Sequence, residues 1–261
     1  MLNKFIAIGI TTVGLSAASA AAMADGMPRA GYRDHRGCAN WSGVYIGGHV
    51  GGAWAKTDLT WVNNNWFNFG PGDRSSIEPD GFIAGGHAGV QHQFNCWVVG
   101  LEGSFAGGNI SREVDSPFFP GEDTHAAYIS RVTTVTGRLG YSWDNWLLYG
   151  KGGYAGALVE LAAHTNNNSL DEHALSERWH NGWTVGAGLE YQLRGSGGKS
   201  IVFGLEYNYV DLGRKTHSFT CDVTPCNSGF PPPVVSTDAD MHVVMGRVTF
   251  LLGRDDGRPM K

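Results

Sequence analysis

The sequence predicts an all-β protein, an eight-stranded antiparallel up-and-down transmembrane β-barrel, on three observations. Apolar and polar residues alternate with a period of two through segment after segment, as in GWTVGAGLEYQL at residues 182–193, which is the signature of a strand with two unlike faces. One face of that segment carries Trp183, Val185, Ala187, Leu189 and Tyr191, while the other carries Gly182, Thr184, Gly186, Gly188 and Glu190. The second face makes a poor hydrophobic core but a suitable lining for a polar interior, which leaves the first to face lipid. The connections between segments alternate strictly between long and short, the pattern of a barrel threaded into a membrane from one side.

Composition agrees with that fold class. The chain has 39 glycines and 16 % charged residues, against about 25 % charged in an ordinary soluble domain. Beyond the first two dozen positions no apolar run approaches the roughly 20 residues of a membrane-spanning helix. The net charge is −5, so nothing favours a nucleic-acid partner.

Residues 1–24 read as a secretory signal, with Lys4 at the basic end, an apolar stretch from Phe5 to Leu15, and Ala22-Met23-Ala24 before cleavage. Residues 25–40, polar and glycine-rich, read as a flexible lead-in. Eight strand segments follow over 41–252: Trp41 to Trp54, Gly81 to Phe94, Trp97 to Ile110, Tyr128 to Tyr141, Trp146 to Leu161, Gly182 to Leu193, Ile201 to Leu212 and Asp240 to Leu252. Each matches or exceeds the roughly 9 to 11 residues that a tilted strand needs to cross a bilayer. Thr57 to Asp80, Ser111 to Ala127, Ala162 to Asn181 and Gly213 to Ala239 read as long loops. Asn95-Cys96, Asp144-Asn145 and Arg194 to Ser200 are the short turns. Residues 253–261 form a tail. Short turns belong on the periplasmic side and long loops outside.

Charge placement tests the assignment, because a basic side chain facing lipid at the bilayer midplane costs about 2 to 4 kcal/mol. Glu102, Arg138, Lys151, Glu190, Glu206 and Arg247 are the mid-strand charges, and all fall on the face opposite the large apolar residues. They are balanced in sign and come from six successive strands. An eight-stranded barrel is just wide enough for side chains to fill it, so these groups are expected to pair in a lumen charge network and plug the bore. Aromatics form two girdles: Trp54, Phe82, Phe105, Tyr128, Trp183 and Tyr209 near the long loops, and Trp41, Phe94, Trp97, Tyr141, Trp146, Tyr191 and Phe250 near the short turns. A soluble lipocalin-like barrel would have its faces inverted.

Four cysteines in an exported chain point to disulfides rather than metal ligands. Cys221 and Cys226 flank Pro225 closely enough to close a small loop. Cys38, just before the first strand, and Cys96, at the foot of its neighbour, are brought together by the topology. His125, His164, His173, His180 and His217 fall in the long loops, where they are candidates for haem iron, though none has tight ligand spacing. His49 and His87 point into the lumen from adjacent strands. GKGGYAG at residues 150–156 superficially matches a phosphate-cradling loop, but no helix follows it and Lys151 fits the lumen face. Ser, His and acidic residues in the loops form no catalytic motif, so no enzymatic activity is expected.

WSGVYIGGHVG at residues 41–51, LLYGKGGYAGA at 147–157, GWTVGAGLEYQL at 182–193 and LEYNYVDLG at 205–213 resemble the small outer-membrane β-barrel proteins of alphaproteobacteria, the outer-membrane immunogenic or porin family related to the OmpA transmembrane domain. The resemblance implies an eight-stranded barrel in the bacterial outer membrane, a surface antigen and, in some members, haemin binding. Such proteins usually end on a strand-closing aromatic, whereas here Phe250 is followed by eleven more residues, Leu251 to Lys261. The function expected is envelope structure and display of surface loops. A narrow porin for small solutes and a haemin-binding surface receptor are the alternatives. Expected partners are outer-membrane lipid and lipopolysaccharide, the barrel-assembly machinery, and host or surface partners at the outer loops.

Overall fold

The computed structural model describes residues 37–64, 70–115, 121, 123–167, 170–194, 199–221 and 232–253. The signal segment, lead-in residues 25–36, residue Cys226 and tail residues 254–261 therefore lie outside the described residues. Among the described residues the chain forms ten strands: β1 (Gly43–Trp61), β2 (Arg74–Ile77), β3 (Asp80–Phe94), β4 (Trp97–Asp115), β5 (Asp123–Trp143), β6 (Trp146–Asn167), β7 (Leu170–Arg194), β8 (Lys199–Ser218), β9 (Thr220–Cys221) and β10 (Val234–Gly253). The long strands pair antiparallel in the order β1, β3, β4, β5, β6, β7, β8, β10, and β10 pairs back onto β1 from Gly253 opposite Gly43 to Val235 opposite Trp61. This closes the ring and removes the sheet edges. The short strands β2 and β9 add to β1 and β7.

Closure rests on the alternation. On β1, Val44, Ile46, Val50 and Trp54 are exposed, while Tyr45, His49 and Ala53 are buried. Exposed Leu101, Leu139, Leu148, Leu205 and Phe250 continue the apolar belt on other strands. The girdles cap it, with Trp97 against Tyr141 (5.3 Å) and Trp146 against Tyr191 (4.7 Å) at the short-turn end and Trp183 against Tyr209 (5.6 Å) at the other. Asn95 and Asp144 turn two of the hairpins at φ of 56° and 47°, a region that Asn and Asp tolerate better than most residues.

Four expectations are corrected. The long polar segments are not mainly loops: β1, β4, β5, β6, β7, β8 and β10 all run past the second girdle as an extension. There the faces invert. Beyond Trp54, Lys56 and Asp58 are exposed and Ala55, Leu59 and Trp61 are buried, because this part of the wall meets water outside and must build its own core inside. Ala39, near the end of the lead-in expected to be flexible, is buried at the short-turn end together with Trp41. Trp41 is thus a plug rather than a girdle residue. Its N–H donates to Gln93 Oε1 at 2.7 Å, and its carbonyl accepts from Gln91 Nε2 at 2.6 Å. Gly253, assigned to the tail, pairs with Gly43 as the last rung of β10. Cys38 and Cys96 form a disulfide, with Cα atoms 5.8 Å apart, that fastens the plug to the β3–β4 turn.

Candidate functional site

The lumen is stacked in three layers. Ala39, Trp41, Tyr45, Val98, Leu147, Tyr149, Val202 and Leu251 form an apolar floor at the short-turn end. A larger apolar core, including Leu59, Trp61, Ile77, Ile110, Ile129, Leu161, Leu212 and Met241, fills the extension. Between them lies a layer of buried charge.

That layer is built by strand register. Glu102 on β4, Arg138 on β5, Lys151 on β6, Glu190 on β7, Glu206 on β8 and Arg247 on β10 all point inward and are almost fully buried. Arg138 Nη2 donates to Glu190 Oε2 at 2.7 Å. Lys151 Nζ bridges Glu102 Oε1 at 2.9 Å and Glu206 Oε1 at 2.7 Å. Arg247 donates to Glu102 and Glu206 and lies 3.8 Å from Glu190 Oε1. Each carboxylate therefore meets at least two cations. Two tyrosines complete the layer: Tyr45 donates to Glu102 Oε2 at 3.0 Å, and Tyr149 donates to Glu206. The Arg138 guanidinium sits 4.0 Å from the Tyr149 ring centroid, within cation–π range. Glycine makes room for these rings, since a Cβ on Gly89 would stand 2.5 Å from the Tyr45 hydroxyl and one on Gly188 would collide with Tyr149. Gly89 and Gly188 are thus spaces for neighbouring side chains.

His49 and His87 meet above the charges, Nδ1 to Nδ1 at 3.2 Å, and His87 Nε2 lies 2.8 Å from Thr249 Oγ1. A cavity of about 30 Å³ adjoins them, bordered by Glu102, Ser104, Thr134 and Arg247. It has room for at least one water molecule. Removing two ions from water costs several kcal/mol each, which good pairing geometry offsets. The chemistry this arrangement supports is mutual neutralisation and obstruction of the bore.

The loop histidines are placed differently from the expectation. His125 lies on β5, His180 on β7 and His217 on β8, all buried inside the extension. His125 packs edge-on against Trp61, with centroids 5.8 Å apart. His180 Nε2 lies 2.9 Å from His217 Nε2, and His217 Nδ1 lies 3.2 Å from Ser176 Oγ. Burial holds His125 and His217 at a pKa of about 4 and lowers His180 as well. A haem ligand needs access to a large planar cofactor, and these rings are enclosed. His164 and His173 sit opposite one another on the β6–β7 ladder, and their side chains lie outside the described residues. The proposed Cys221–Cys226 loop also lies outside them, through Cys226.

Tyr45 and Tyr149 were not singled out in the sequence. Each shares the phase of a lumen residue on its own strand, Tyr45 with His49 and Tyr149 with Lys151, and that signal would have found them. His180 shares the phase of Glu190 on β7, which counting back along one uninterrupted strand would have shown.

A family model for the outer membrane protein beta-barrel domain matches residues 10–224. The 31 kDa outer-membrane immunogenic protein of Brucella melitensis is 28 % identical over 184 residues, covering 67 % of this chain and 73 % of the relative. The 25 kDa outer-membrane immunogenic protein of Brucella abortus is 28 % identical over 178 residues, covering 68 % of each. Among solved structures, the outer membrane protein OprG of Pseudomonas aeruginosa superposes with a TM-score of 0.41 at 12 % identity, covering 81 % of this chain and 98 % of that one. The outer membrane protease OmpT of Escherichia coli gives 0.47 at 10 %, covering 80 % and 96 %. At those scores neither likeness carries a functional argument.

Proposed function

The chain belongs to the outer-membrane β-barrel family, and from that premise we propose that it is a closed structural barrel of the outer membrane that presents its outer extension to the surroundings. It resides in the bacterial outer membrane, with lipid against its apolar belt. The observation that carries the proposal is the charge layer: six buried ionic groups and two tyrosines occupy the bore between two apolar cores. A solute path would have to pull these pairs apart. Its relatives are named outer-membrane immunogenic proteins, which supports a role at the exposed surface for the polar outer wall of the extension. Conductance in a planar bilayer is the test. The expected result is a silent barrel, with steps appearing when the layer is thinned by Arg247→Ala together with Glu206→Ala. Large, steady conductance of the unaltered protein would overturn the proposal in favour of a porin.

A further inference from the structure

The barrel wall has one interval where neighbouring long strands stop pairing and then resume contact through a short strand. The β7–β8 ladder ends at Trp183 opposite Asp211. Higher up, β9 takes over with Leu175 opposite Thr220 and Ala174 opposite Cys221. Residues 176–182 and 212–219 thus face each other across a seam with no ladder pairs, closed below and above. The seam begins at an irregularity: Asp238 of β10 pairs with Arg214, but Asp240 pairs with Asp211, so β8 holds an extra residue there, and Gly213 has φ of 62°.

The His180–His217 contact spans this seam, with His180 on β7 and His217 on β8, and both rings have no exposed surface. Ser176 on β7 meets the far side of His217. The surroundings are mixed. Burial acts most strongly against positive charge on the pair, with Arg178 of β7 and Lys215 of β8 acting the same way, while the backbone at Gly213, Leu212 and Ser176 and the carboxylate of Asp238 of β10, ion-paired with Arg214 at 3.2 Å, act for it. From β6 the neighbours are apolar Ala157, Val159 and Leu161, and beside β9 it is Phe219. The His49–His87 pair differs because its strands, β1 and β3, are laddered throughout that region.

We propose that the His180–His217 pair is an acid-released latch that holds shut a window in the β7–β8 wall of the outer extension. The 2.9 Å contact requires one Nε2 to donate a proton and the other to offer a bare lone pair. A first added proton puts a cation into a largely apolar enclosure, against the desolvation that burial imposes and the charges of Arg178 and Lys215 on the water face. A second removes the remaining lone pair and sets two cations face to face. No backbone ladder holds the strands together at that height, so the strain is relieved by parting the seam. The window opens onto the apolar interior at Leu212, Phe219 and Val235.

The sign follows from linkage. Burial holds His217 at about 4 while the window is shut, and once exposed it returns to its ordinary value near 6.5. The open state therefore binds more protons, and closure is lost as pH falls from about 6.5 toward 4. At pH 5 this one histidine shifts the balance toward opening by about 30-fold relative to pH 7.5.

Hydrogen exchange on the full chain in lipid nanodiscs, corrected for the intrinsic pH dependence, tests the latch. Amides of 176–182 and 212–219 that point across the seam are expected to exchange about 30-fold faster at pH 5 than at pH 7.5, while the laddered residues 183–194 and 200–211 stay protected. The doubly substituted His180→Gln, His217→Gln protein, checked for folding by heat-modifiable gel mobility, is expected to lose the pH response. Less than a threefold change in the unaltered protein overturns the proposal on its own, whatever the variant does. An undiminished response in the folded double variant overturns it as well.

Discussion

The membrane-spanning half and the extension share the same strands yet obey opposite rules. On β10, Val244, Val248, Phe250 and Leu252 are exposed in the lower half, and Met245, Arg247 and Thr249 point inward. Higher on the same strand the outward positions become Asp238 and Asp240, and the inward ones Val235, Ala239 and Met241. On β10 the same extended backbone runs through both halves. What changes is the solvent: hydrocarbon rewards apolar side chains outside and tolerates a polar bore, whereas water requires the reverse. Charges are treated accordingly. Inside the membrane half they are buried in shared pairs, while in the extension they form exposed pairs such as Lys56–Asp58 and Arg214–Asp238.

That contrast predicts a graded response to substitution. The largest effect is expected from Glu102→Ala, which strips Lys151, Arg138 and Arg247 of a common partner. A buried ion pair broken on one side costs about 3 to 5 kcal/mol, to be read from reversible unfolding in phospholipid vesicles. Next comes a matched pair of outward substitutions. Leu101→Arg, on the lipid belt, is expected to cost about 2 to 4 kcal/mol, whereas Thr60→Arg, on the watery face of the extension, should stay within about 0.5 kcal/mol of the unaltered protein. Equal costs at the two sites would dissolve the distinction between the halves. The smallest effect is expected from Arg214→Ala, which breaks an ion pair whose arginine side chain is 74 % exposed. Such surface pairs contribute about 0 to 1 kcal/mol, and salt should shrink even that.

The membrane half was legible in the sequence because its period-two pattern carries its own solvent label. Glu190 alternates with Leu189 and Tyr191, so their faces are assigned once the segment is read as a strand. The extension was misread as loops because its outward Lys, Asp and Glu, with Asn and Gly at the turns, have loop-like composition. Its inward Ala, Thr and Leu are too small or too mixed to announce a core. Two local offsets deepened the problem. Ser130 on β5 is an extra residue relative to β6, and β8 gains one at Gly213. Below Ser130 the even positions Thr136 and Arg138 face in, while above it the odd positions Ile129, Ala127 and His125 do. Likewise Glu206 and Leu212 face in below Gly213, but His217 does above it. Counting along the chain without those bulges puts His125 and His217 on the outside.

By itself the sequence determined the class of barrel, the number of long strands, the end at which the short turns lie and which charges enter the bore. Each of these follows from local alternation and from turn length. Only the tertiary structure decided which carboxylate meets which cation, that Trp41 plugs the floor, that the strands continue beyond the membrane as a water-facing barrel, and that His180 and His217 meet across an unladdered seam. Those outcomes depend on register between strands distant in sequence. A bulge is fixed by the pairing of its strand with its neighbours rather than by the residues that form it.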